Sequence, residues 1–199
     1  MWPIVVAGLV AVAVVGERAW WWWTESRKRS PETLEKVFAA LENGDMPEAT
    51  RLSSKSGDPV VCMVYHGLTH FHSSMQGALQ VAAGVELQKA GRFLTVMDTL
   101  VTLGPLLGLL GTVSGIFRTF LSLGGATVEG ATSQITGGIG EALIATMYGL
   151  GIAIFALIPF NYFTRKVAQL HFELETAATN VEVLTAAGAK KNLRPPEGS

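Results

Sequence analysis

Three long stretches of the chain carry almost no polar side chains. Trp2 to Trp23 has no charge before Glu17, Phe93 to Phe117 has none after Asp98, and Gly140 to Thr164 has none after Glu141. A helix crosses the ~30 Å hydrocarbon layer in about 20 residues. Each stretch therefore predicts a transmembrane helix, and the run Trp20 to Trp23 suits the headgroup level. The segment between the first two reads differently. Ser30-Pro31 predicts an N-cap and first helical residue, and Leu34, Val37, Phe38 and Leu41 give that helix an apolar stripe. Asn43-Gly44-Asp45 ends it, and a short helix follows over about Pro47 to Ser54. Asp58-Pro59 predicts the start of a third, running through the eighties and open to continuation into the second span. No strand alternation of useful length is present. The expectation is an all-α membrane protein: a transmembrane helix at 1–23, a helical insert at 24–92, a second span at 93–118, a loop at 119–137, a third span at 138–164, and a C-terminal helix and tail at 165–199. The last residues, from Lys190, are expected to fray.

The charge distribution sharpens this. The chain has 199 residues, 16% of them charged, against roughly 25% in an ordinary soluble domain. Residues 24–92 hold 16 of the 31 charges and residues 164–199 hold nine. The other 94 residues hold Glu17, Arg18, Asp98, Arg118, Glu129 and Glu141. So little charge excludes a solvated, disordered chain. A net charge of −1 argues against nucleic-acid binding through bulk positive charge. Arg27, Lys28 and Arg29 follow the first span, Lys89 and Arg92 precede the second, and Arg165 and Lys166 follow the third. The loop at 119–139 has neither Lys nor Arg, and Arg118 is the exception at its edge. The positive-inside rule then predicts a periplasmic N-terminus, with the insert and C-terminus in the cytoplasm. Ala11-Val12-Ala13 has the form of a signal-peptidase site, but no basic residue precedes the apolar run, so an uncleaved anchor is expected. Near its end, Arg18 can snorkel toward the interface.

Candidate chemistry is sparse outside the spans. A single cysteine, Cys62, excludes an intrachain disulfide framework. His66 and His70 stand four apart, with His72 nearby, but position 67 is glycine and the zinc-protease pattern is missing. A helix face is the expectation, with no metal, no cofactor and no enzymatic activity. Inside the spans, Gly104/Gly108 and Gly111/Gly115 are small-xxx-small pairs that let another backbone approach. Pro105 should kink or relax its helix. Glu141 is an ionisable residue at a membrane helix and thus a functional candidate, although it could also sit at the interface, close to water. Thr112 and Thr146 could each bond their own i−4 carbonyl. Asp98 lies ~21 Å from Thr112 along a helix, which puts it at the cytoplasmic mouth, in a vestibule or on the surface.

Two segments in order, GPLLGLLGTVSGIFRTF (104–120) and GIGEALIATMYGLGIAI (138–154), resemble the signature segments of the MotA/TolQ/ExbB proton-channel family, its ExbB and TolQ branches most of all. The resemblance implies a homo-oligomeric ring, a pentamer, in the bacterial inner membrane. Its pore would hold the single-span helices of an ExbD-like or TolR-like partner, whose membrane aspartate takes up the proton. It implies pore-facing roles for Thr112 and Thr146, makes Glu141 the acidic residue of the third span, and matches Asn161 to an asparagine near that span's cytoplasmic end. It also implies contact with membrane lipid and with a TonB-like protein served by the proton motive force. Gly108-Leu109-Leu110-Gly111 favours the ExbB branch; a TolQ-like role in outer-membrane integrity and a motility or gliding stator are the alternatives. Ser114 stands where the family often has tryptophan. Phe155 stands where it often has proline, and Pro159 follows one turn later.

Overall fold

Helix α1 covers Trp2–Ser26, α2 Pro31–Glu42, α3 Met46–Ser53, α4 Pro59–Thr69, α5 Phe71–Ala90, α6 Leu94–Ser122 and α7 Val128–Asn192. The computed structural model describes the backbone of residues 2–122 and 128–192, and the side chains there except at 72–73, 122, 128–134 and 190–192. No strand occurs among the described residues, as the all-α expectation requires. Three helical segments, in α1, α6 and α7, are long and apolar enough to cross a membrane. The chain divides into two units, residues 1–20 with 93–164 and residues 21–92 with 165–199.

The first unit is held together by small residues more than by a hydrophobic core. Among the described residues one buried cluster joins Ala11, Leu100 and Ala156, with Ala7, Val96, Val101 and Ile152 against it, and Ile4, Met97, Ala142, Ala145, Ala153 and Phe163 are also buried. Leu9, Leu106, Leu110, Leu143, Met147 and Ile158 point outward and are exposed. In water this would be an untenable surface. In a bilayer the tails are as apolar as leucine, so close backbone packing takes over as the driving force. Gly115 faces Ala142, Gly111 faces Ala145, and Gly104 faces Gly149 and Ala153, so α6 and α7 are antiparallel. Ile4 reaches Gly111, and Gly8 meets Ile152, so α1 runs alongside α7 and opposite to α6.

The second unit has an ordinary core. Val37, Leu41, Met63, Val64, Leu79 and Leu174 are nearly inaccessible and belong to one cluster. From α7, Leu170, Leu174, Ala177 and Val181 enter it at alternating spacings of four and three, the stripe of an amphipathic helix. Gly188 continues that stripe against the α2–α3 turn. A Cβ there would lie 2.6 Å from the Leu41 carbonyl oxygen and 3.0 Å from Gly44 Cα, and Gly44 itself needs φ of 76°.

Asp58 organises the start of this unit. It is 4% exposed. Its Oδ1 accepts from the Val60 amide at 2.9 Å, capping α4, and its Oδ2 accepts from the Ser30 amide at 2.7 Å. Arg29 Nη1 stands 3.6 Å away. Ser30 makes no cap bond of its own; its hydroxyl meets the Thr33 hydroxyl at 2.7 Å. Asp58→Ala should destabilise the protein by about 2–4 kcal/mol, because it removes a cap and leaves buried donors unsatisfied. Urea unfolding of the purified protein checks this, and Asp58→Asn, which keeps an acceptor oxygen, should lose less.

The structure departs from the sequence expectation at five places. The helix expected from Pro59 through the eighties is interrupted: His70 ends α4 and begins α5, and Ser74 inside α5 leaves helical geometry with φ of −162° and ψ of 82°, while Gly67 abuts the Leu79 side chain across the pair. Continuation into the second span is also interrupted. Gly91 closes α5, and Phe93 takes φ of 63° before α6 begins, a left-handed conformation costing a bulky residue about 1–2 kcal/mol. Helix extends from both sides into the stretch expected as loop 119–137, since α6 ends at Ser122 and α7 starts at Val128. The third span and the C-terminal helix are one unbroken helix of 65 residues, passing through Pro159, as α6 passes through Pro105. Arg18 does not snorkel. It is 1% exposed, donates to both Glu17 carboxylate oxygens at 2.6 and 3.0 Å, and lies 5.7 Å from the centre of the Phe93 ring. A buried guanidinium needs such partners to offset its lost hydration.

Candidate functional site

The glycine pairs strip the facing side of α6 of side chains, and this exposes its carbonyls to α7. Gly104, Gly108 and Gly149 are buried. A Cβ on Gly108 would come within 3.0 Å of Thr146 Cα and 3.2 Å of the Ala145 carbonyl oxygen. Into this bare backbone Thr146 projects its hydroxyl, which donates to the Gly108 carbonyl at 3.2 Å. The bond crosses between helices, so Thr146 does not take the i−4 carbonyl of its own helix. In a regular α-helix the Gly108 carbonyl also receives the Thr112 amide. The two threonines of the signature segments thus share one oxygen. The Thr112 hydroxyl donates to Leu109 O at 2.7 Å, an i−3 bond in place of the i−4 one considered above.

This arrangement fixes what the hydroxyls can offer. Each has one proton and two acceptor lone pairs, and both protons are committed to carbonyls. Toward a third group the threonines present acceptors. They can receive the proton of a neutral carboxylic acid or a water. To donate to a carboxylate, a hydroxyl must first rotate off its carbonyl, at a net cost of roughly 1 kcal/mol.

Glu141 lies toward the other end of the same seam. It lines a recess of about 340 Å³ together with Arg118, Ser114, Thr119, Gly115 and Ala142. Gly138 abuts Thr119 there, and the Thr119 hydroxyl donates to Gly115 O at 2.9 Å. Asp98 is not part of this recess. It is exposed, near the start of α6, with Thr102 donating to its backbone carbonyl at 3.3 Å. Asn161 and Phe155 are exposed on α7. Sequence reasoning singled out Arg118 only as a charge exception; its place beside Glu141 follows from the antiparallel pairing of Gly115 with Ala142, which no local pattern announces.

Among the described side chains, His66 and His70 join no ligand set. His70 caps α4, and its Nδ1 lies 3.0 Å from His66 O; the His72 side chain is outside the described residues. Among the described residues no group of three or more His, Cys, Asp or Glu could hold a metal. Cys62 is half-buried, and burial together with nearby Glu86 pushes its thiol above the usual range, which disfavours the reactive thiolate.

Comparison with known proteins gives a consistent picture. The model of the MotA/TolQ/ExbB proton channel family matches residues 62–176. An ExbB-like biopolymer transport protein of Synechocystis (ExbB-like 3) is 34% identical over 173 residues, covering 81% of this chain and 78% of that one. Biopolymer transport protein ExbB of Xanthomonas campestris is 34% identical over 113 residues, 57% of this chain and 44% of its own. Tol-Pal system protein TolQ of Pseudomonas aeruginosa is 42% identical over 94 residues, 47% of this chain and 40% of its own. The aligned part is less than half of the latter two proteins.

Proposed function

The chain belongs to the MotA/TolQ/ExbB proton channel family, and from that premise we propose that it is the pore-forming subunit of an ExbB–ExbD-like inner-membrane complex. In this reading the complex couples the proton motive force to TonB-dependent transport across the outer membrane. The observation that carries it is the bond from Thr146 to the Gly108 carbonyl. It holds the Thr146 proton on the backbone of α6, so that toward a partner helix this side chain presents acceptors for a protonated acid. Thr112, Thr146 and Glu141 form the proton path, and Asp98 stands in a vestibule at the cytoplasmic mouth. The partner is a single-span subunit of the ExbD or TolR type, and copies of this chain close a pentameric ring around it. The N-terminus is periplasmic and the C-terminus cytoplasmic.

The chemistry is one of compensated charge. An ionised carboxylate in a low dielectric is costly unless it is hydrogen-bonded. When the partner's acid is ionised, threonine hydroxyls turned away from their carbonyls donate to it. When it is protonated, they return to Gly108 and Leu109 and accept its proton in a hydrogen bond. The alternation adds no fixed charge to the pore. One charge moved across the membrane is worth ~2.3 kcal/mol per 100 mV, about the scale of two such hydroxyl rearrangements.

Glu141→Gln tests the reading. Glutamine keeps the shape but cannot take up a proton. In a strain lacking the gene, the variant should accumulate normally and restore outer-membrane import at no more than a tenth of the wild-type rate. Full restoration would remove Glu141 from the path. A second reading, a TolQ-like subunit maintaining outer-membrane integrity, is supported by the 42% identity to TolQ within the aligned region. The same strain separates the two, since that reading expects detergent sensitivity with import intact.

A further inference from the structure

We propose that Arg118 restricts Glu141 to protons, by holding a fixed positive charge in the recess where a metal cation would otherwise find oxygen ligands. The proposal rests on the proton-path reading of Glu141 given above. The recess brings together the Glu141 carboxyl and the hydroxyls of Ser114 and Thr119. Carboxylate and hydroxyl oxygens are the ligands that hard cations take. About 340 Å³ has room for several waters at ~30 Å³ each, enough for a partly hydrated sodium ion. By oxygen count and space the recess is a serviceable cation site.

Arg118 changes that. Its guanidinium carries five donors, no acceptor and a positive charge. It lines the same recess without closing an ion pair on Glu141 within 4.0 Å, so the carboxylate stays open to a small partner. Both side chains are exposed on the single chain, and a sodium ion entering the recess would meet a fixed like charge among the same lining residues as its carboxylate ligand. A proton escapes this penalty. It bonds covalently to the carboxylate, converts it to the neutral acid, and leaves only the guanidinium charge behind. It also arrives along waters and hydroxyls with no coordination shell to satisfy. Among the described side chains Arg118 and Glu141 are the charged groups of the recess, and α1 contributes only Ile4. The Met1 and Glu129 side chains lie outside the described residues.

The test compares thermal unfolding of the purified full-length protein in about 0.3 M sodium chloride and in choline chloride at equal ionic strength. Wild type should melt at one temperature in both. Arg118→Gln should gain about 2–4 °C in sodium, as weak binding to the folded state requires. Arg118→Lys, which keeps the charge, should not gain, and Arg118→Gln with Glu141→Gln should lose the gain. A sodium-specific gain in wild type overturns the proposal, as does its absence in both Arg118→Gln and Arg118→Ala when these melt normally in choline. If neither variant folds, Arg118 is structural and the proposal falls. The Glu141→Gln complementation result is read separately: full restoration there overturns the proton-path reading, whatever sodium does to the Arg118 variants.

Discussion

Gly149→Ala should separate α6 from α7. The added methyl would be driven into the Gly104 carbonyl and would come within 2.9 Å of both Gly108 Cα and the Gly108 amide. These are backbone atoms in the middle of two helices, so no rotamer change relieves the contact and the helices must move apart. Overpacking of this kind costs typically 1–3 kcal/mol. The loss should be at the upper end here, because the seam also aligns the Thr146 bond, and it should exceed 3 kcal/mol for a larger residue such as leucine. Gly140→Ala and Gly151→Ala are the internal controls, since a Cβ at either meets nothing within 4 Å. Thermal unfolding in detergent should show a drop of several degrees for Gly149→Ala and no change for the controls. Equal stability of all three variants would mean that the α6–α7 seam is not the packing element described above.

That seam also shows how far the sequence could be read. The spans were legible because hydrocarbon tolerates so few charges: six in 94 residues can hardly be arranged otherwise. Asp58-Pro59 was legible because capping is local, and the structure places Asp58 on the Val60 amide as expected. The Gly104/Gly108 and Gly111/Gly115 pairs announced a close approach but not its partner; Ala142, Ala145 and Gly149 emerge only once the helices are paired. The break at His70 was marked only by a polar stretch, Thr69-His70 and His72-Ser73-Ser74, with Gly67 just before it. Apolar periodicity runs through it, and the hairpin is set by Gly67 against Leu79. The bounds of the loop at 119–137 came from where the apolar spans end, and hydropathy does not mark where a helix stops: α6 runs on to Ser122 and α7 begins at Val128. Arg18 was misjudged for a related reason. A long cationic side chain near a span end has two outlets, water or a buried partner, and Glu17 and Phe93 supply the second.

The Thr146 side chain is where packing and function can be told apart. Thr146→Val keeps the shape and removes the hydroxyl. The Gly108 carbonyl retains its helical amide partner, so the loss of one cross-helix bond should cost only about 1 kcal/mol of stability. If the hydroxyl serves only to bind α7 to α6, import in the complemented strain should fall no more than protein abundance does. If it alternates between the Gly108 carbonyl and a partner carboxyl, coupling should drop at least ten-fold while abundance stays near wild type. Thr146→Ser should then restore coupling, because serine supplies the same proton and lone pairs. Thr112→Val should behave similarly, since its hydroxyl is held by Leu109 on its own helix and contributes nothing to the α6–α7 contact. The pair of variants therefore separates the two roles: a structural hydroxyl predicts a small stability loss at Thr146 alone with coupling intact, and a proton-relay hydroxyl predicts lost coupling at both.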